Sequence, residues 1–210
     1  STMANVLAAK MGAGKSQYGL AVETSTLIQT TEKTIDAAEK LLKSCTELKK
    51  DFGDSVATHF EKAANTAAAY GKGLQNPEAI ASYTVVQTRF VAAAAARRTF
   101  SASLDANQIK TLQAFKEDIK GARAAMKGLD AARKGVAVAM AKAKGKEGEA
   151  ELAAALTAAQ TEAANVEKAT ADALTAFNQK AGQMIIDQSD KLAASEKTLN
   201  AATKVALAPA

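Results

Sequence analysis

From about Ala21 almost to the C-terminus, apolar side chains recur every three or four residues, and only two prolines interrupt 210 residues. That spacing gathers apolar groups on one stripe of an α-helix, which turns every 3.6 residues; a strand would need a period of two. The first block runs through Leu27/Ile28, Thr31, Ile35, Ala38, Leu41/Leu42, Cys45, Leu48, Phe52, Val56, His59/Phe60, Ala63, Ala67 and Tyr70. Gly71–Lys–Gly–Leu–Gln–Asn–Pro77 ends it, with Asn76 suited to cap the next helix and Pro77 to its first position. A second block runs from Glu78 to Ala143, with a polar stretch at Ser101–Gln108 where a kink is expected. After Lys144–Gly–Lys–Glu–Gly148 the third carries Leu152, Leu156, Val166, Leu174, Phe177, Leu192 and Leu199. The pattern predicts helices over about 21–70, 78–143 and 148–205, an all-α fold built as an elongated antiparallel three-helix coiled coil. Residues 1–20 are read as a flexible arm able to fold at a membrane, 21–205 as the helical domain and 206–210 as a tail.

Alanine-rich composition, with 4% aromatic residues, suits thin helices better than a globule, because alanine buries little area. Cys45 is the one cysteine, which excludes an intrachain disulfide and suits a reducing compartment. No apolar run nears the roughly 18 residues of a membrane span. Val6–Leu7–Ala8–Ala9 is cut by Lys10 and makes no secretory core, so a soluble cytoplasmic protein is expected.

Charge is distributed unevenly. Between Lys110 and Lys146 there are ten lysines and arginines against Glu117, Asp118 and Asp130, so that segment carries 10 − 3 = +7 while the whole chain carries +5 and the rest −2. Lys116, Lys120, Arg123, Lys127 and Lys134 fall one helical step from the apolar seam, and Lys142, Lys144 and Lys146 follow in the glycine-punctuated turn. Such a stripe calls for an acidic partner. Near an anionic leaflet each cation contributes about 1 kcal/mol, decaying within roughly 8 Å, so several must touch together, as a rigid rod enforces. Nucleic acid would accept the charge too, but no nucleic-acid-reading motif or interleaved aromatic accompanies it. Arg133 falls on the apolar seam. If the second helix folds back about Leu74, residue i lies beside about 148 − i, and Ala21 faces about residue 127. Arg133 is then in a two-helix zone beyond the first helix, where its side chain reaches water. The candidate lipid-binding set is Lys116, Lys120, Arg123, Lys127, Arg133, Lys134, Lys142, Lys144 and Lys146.

Phe52, Phe60, Tyr70, Tyr83, Phe90, Phe100, Phe115 and Phe177 are placed together in one half of the rod. More bulk than three thin helices cover suggests a symmetric homodimer, with Phe52, Phe60, Tyr83, Phe90 and Phe100 as interface candidates.

Chemistry-bearing patterns are few. Met11–Gly–Ala–Gly–Lys–Ser16 has Ala9 where a phosphate loop needs glycine, and no strand precedes it. His59, on the seam without a ligand partner, reads as a packed histidine, and Cys45 as a small core residue. Carboxylates are scattered over helix faces. The reading is therefore of a non-enzyme with no catalytic or metal site, no cofactor, no nucleic acid and no small-molecule substrate.

Lys116–Glu–Asp–Ile–Lys120, Met126–Lys–Gly–Leu–Asp130–Ala–Ala–Arg–Lys134, the Lys-rich turn and Glu149–Ala–Glu–Leu152 together resemble the BAR domain. The likeness in helix order and lengths extends over about 21–205, with recognisable motifs only in the middle third. The chain departs from that family in its alanine enrichment, in lacking a proline in the middle of the second helix, and in an arm poor in apolar residues. The resemblance implies a crescent-shaped dimer, peripheral to membranes, that senses or generates curvature. In it Lys120, Arg123 and Lys127 would be the concave patch, and Lys142, Lys144 and Lys146 the tip. The alternative is a scaffolding bundle, such as a granule-coat or cytoskeletal adaptor, dimerising for protein contacts.

Overall fold

The structure, a computed structural model, describes residues 20–146 and 148–208. Residues 1–19 lie outside the described residues, and with them nearly all of the expected arm and the Met11–Ser16 pattern, as do Glu147 and the last two residues of the tail. Every element among the described residues is helical. The first long helix comprises α1 (Val22–Leu48), a π-helical segment Lys49–Ser55 and α2 (Val56–Lys72). The second comprises α3 (Pro77–Ser103), a π-helical segment Leu104–Ile109, α4 (Lys110–Ala114) and α5 (Lys116–Ala143), and the third is α6 (Ala150–Leu207). The Asn76 side chain accepts the Glu78 N–H at 2.9 Å with Pro77 at the first helical position, satisfying a donor that the helix start would leave open.

The chain forms two compact units, residues up to Ala37 with Phe115–Gln183, and Ala38–Ala114 with the segment from Met184. In the first unit the buried side of the second helix advances Phe115, Ile119, Ala122, Met126, Leu129, Arg133, Val136, alternating fours and threes. In the same unit Ile28, Thr31 and Ile35 of the first helix and Ala163, Thr170, Leu174 and Phe177 of the third are likewise buried. Phe115 and Phe177 stack at 5.4 Å, so they are partners here rather than members of the other aromatic group. Between helices, Asn178 Nδ2 donates to Thr31 Oγ1 at 2.9 Å and Lys180 pairs with Asp118 at 2.8 Å. Gly145, at φ +76°, turns the chain between α5 and α6, a conformation that side chains with a Cβ disfavour.

The second unit packs Cys45, Phe100, Leu104, Ile109, Leu112 and Leu199 as its core. Both π segments lie here, and both answer to spacing. Inward positions run Cys45, Lys49, Gly53, Ala57 on the first helix and Phe100, Leu104, Gln108, Leu112 on the second. Three consecutive fours are twelve residues for three turns, where an α-helix takes about eleven. A π-turn absorbs the extra residue.

That insertion corrects the expected seam. A continuous α-helix places Phe52, Val56 and His59 inward. The π segment turns Gly53 and Ala57 inward instead, leaving Phe52 57% exposed and His59 exposed rather than packed. Gly53 faces Ser101 so closely that an added Cβ would lie 2.9 Å from the serine's Cβ and Oγ. Around this approach Asp54 accepts the Ser101 hydroxyl at 2.6 Å, and Arg98 pairs with Asp54 at 3.4 Å and Glu61 at 3.0 Å.

Candidate functional site: a basic face of α5

Lys116, Lys120, Arg123, Lys127 and Lys134 stand 4, 7, 11 and 18 residues along α5 from the first. At about 100° per residue these steps fall within an arc of about 60° and span about 27 Å of axis. The buried residues of α5 centre about 120° away, so the cations border the packed face rather than opposing it. All five are exposed, as are Lys142 in the last turn of α5 and Lys144 and Lys146 around Gly145.

Pairing divides the set. Lys120 bonds Glu117 at 2.6 Å, Lys134 bonds Asp130 at 2.6 Å and Lys146 lies 3.5 Å from Glu149, all local pairs on open surface. With the Lys120 and Lys134 side chains 70% exposed, such pairs are worth little and open readily to a competing anion. Lys116, Lys127, Lys142 and Lys144 have no carboxylate partner among the described residues. Helices flanking α5 in the same unit are acidic. Ala21–Ala37 carries Lys33 against Glu23, Glu32 and Asp36, or 1 − 3 = −2. Ala150–Gln183 carries Lys168 and Lys180 against Glu151, Glu162, Glu167 and Asp172, or 2 − 4 = −2. From Lys116 to Lys146 there are nine bases and three acids, 9 − 3 = +6. Cations are thus concentrated on one of the unit's three helices.

Arg133 leaves the set. It is only 7% exposed, and its guanidinium donates to Glu167. The other oxygen of Glu167 accepts the Ala21 N–H at 3.0 Å. The first helix therefore begins level with Arg133, not residue 127, and Arg133 is enclosed by three helices where two were expected. A buried guanidinium needs a counter-charge, and Glu167 supplies it. The signal available in the chain was the arginine on an apolar seam, which demands a carboxylate at its own level.

The proposed interface residues separate similarly. Phe100 is 4% exposed in the core and offers no surface to a second copy. Phe60 and Phe90 are half-buried and stack at 5.9 Å, and half-buried Tyr83 meets Tyr70 at 5.5 Å. Phe52 at 57% and Tyr70 at 63% are open. Tyr70 also walls a groove of about 440 Å³ together with Ala63, Thr66, Ala67, Tyr83 and Phe90. Cys45 is fully buried, and burial, with the nearby Glu196 charge, pushes its thiol above the usual range.

Among the described residues no cluster of His, Cys, Asp or Glu is placed to hold a metal ion, and no helix is long and apolar enough to cross a membrane. Comparison with protein-family models, curated proteins and solved structures finds no match to the chain.

Proposed function

We propose that this protein binds anionic bilayers through the basic face of α5 and the Lys142–Lys146 turn. The observation that carries the reading is the alignment of Lys116, Lys120, Arg123, Lys127 and Lys134 in one arc of a helix whose neighbours are acidic. A helix about 10–12 Å wide exceeds the screening length of about 8 Å, so only cations on one side act together on a surface. Five at about 1 kcal/mol each account for a firm, salt-sensitive attachment. Arg133 does not contribute. In keeping with the resemblance to BAR domains, the protein acts as a homodimer, peripheral to cytoplasmic membranes, and senses or generates curvature. Exposed Phe52, and exposed Tyr70 on the wall of an apolar groove, support self-association. That same surface is what a scaffolding bundle would use, which is the second reading.

The test is co-sedimentation with vesicles of phosphatidylserine or of phosphatidylcholine alone. Wild type pellets with the former and releases at high salt. Glu at 142, 144 and 146, or at 116 and 127, lowers the bound fraction sharply. If both charge-reversed proteins pellet like wild type, the basic face is not the membrane site and the scaffolding reading takes its place.

A further inference from the structure

Two lines of residues run side by side along α2 and the π segment before it. Gly53, Ala57 and Ala64 are buried, and the half-buried Gly71 continues their line, where an added Cβ would lie 3.3 Å from Tyr83 Cβ. One residue earlier at each step stand Phe52, Val56, Ala63 and Tyr70, of which Phe52 and Tyr70 are more than half exposed. At Gly53/Phe52, Ala57/Val56 and Gly71/Tyr70 the smaller residue is the more buried of the two, the reverse of what apolar burial by itself selects. An α-helix continued from Cys45 without the extra residue brings the bulky line inward.

We propose that Lys49–Lys72 is a two-register element: the register described here, and a second, one residue out, in which Phe52 and Val56 replace Gly53 and Ala57 against α3. Gly53 holds the first because only a residue without a Cβ fits against Ser101. Polar contacts hold it too. Asp54 accepts from Ser101 at 2.6 Å and pairs with Lys49 and Arg98 at 3.4 Å each, while Arg98 also bonds Glu61 at 3.0 Å and Thr58 at 3.2 Å. Arg97 reaches the Phe52 carbonyl at 3.4 Å. Turning Phe52 inward rotates Asp54, Thr58 and Glu61 by about 100°, away from Ser101 and Arg98. The polar set and the bulky seam therefore exclude each other, which makes the element bistable rather than continuously deformable.

The chain contains no tryptophan, so Phe52→Trp supplies a lone fluorescent reporter. In that background the indole emits as a water-exposed group and acrylamide quenches it. Adding Asp54→Ala, or separately Arg98→Ala, shifts emission to shorter wavelength and lowers the quenching constant at least threefold, with the far-ultraviolet helix signal retained. Deleting Asp51 removes the extra residue and sets Gly53 and Ala57 in phase with Cys45 in a plain α-helix, so Asp54→Ala then has no effect on the reporter. Burial within the protomer survives tenfold dilution, whereas burial against a second copy does not. A reporter that stays exposed in both variants, or whose burial vanishes on dilution, overturns the proposal. Loss of the helix signal in both variants also overturns it, since the network then holds the fold and not a register. None of these residues belongs to the basic face, so the vesicle experiment succeeds or fails independently.

Discussion

Removing the carboxylate of Glu167 tests the first unit at its most constrained point. Arg133 is 7% exposed and the Glu167 side chain 19%, so the guanidinium, the more deeply buried of the two, depends on the pair more than the carboxylate does. Breaking a buried pair by deleting one partner costs about 3–5 kcal/mol, because the surviving charge is left uncompensated. Glu167→Ala also removes the acceptor for the Ala21 N–H, a bond worth about 1 kcal/mol, but at a chain start that water can reach. The partial exposure of Glu167 and relief of Arg133 by snorkelling act the other way, and the expected loss is about 3 kcal/mol. Arg133→Met should cost less than half of that, since the remaining carboxylate is nearer water and keeps its bond to Ala21. The double change Arg133→Met with Glu167→Leu should return close to wild type. Urea denaturation followed by circular dichroism reads all three. Equal losses for the two single variants, or a double variant as unstable as Glu167→Ala alone, would refute the reasoning. Arg133→Met should also leave vesicle binding unchanged, unlike Glu at 116 and 127.

Three further outcomes are expected. Asp54 is held below the usual carboxylate range, first by the Ser101 hydroxyl and then by Lys49 and Arg98. A lowered folded-state pKa means stability present above about pH 4 and lost as pH falls through the folded value, so the urea midpoint should drop on acidification below pH 4 and do so less in Asp54→Asn. Gln108 is fully buried with both amide ends lacking a partner among the described residues, so Gln108→Leu should stabilise by about 1–2 kcal/mol in the same denaturation assay; a loss of that size would mean the amide is satisfied after all. Cys45, fully buried with its thiol pushed up by burial, should react with a thiol reagent only as fast as the second unit opens, and rapid labelling of the native protein would contradict its burial.

What could be read from the residues alone was whatever depends on near neighbours along the chain. Helicity follows from the 3-4 recurrence of apolar groups, the start of α3 from Asn76 and Pro77, and the alignment of Lys116, Lys120, Arg123, Lys127 and Lys134 from 3.6 residues per turn. The π segments were not legible there, because the inward runs of three fours at Cys45–Ala57 and Phe100–Leu112 pass through Lys49, Gly53 and Gln108, which no apolar recurrence marks. Only packing decided the rest. Whether Phe52 or Gly53 turns inward depends on Ser101, about fifty residues away, and whether Arg133 reaches water depends on Glu167. Side chains that distant become neighbours only when helices settle in register, and register is set by the total packing and pairing of all the helices together rather than by any local stretch.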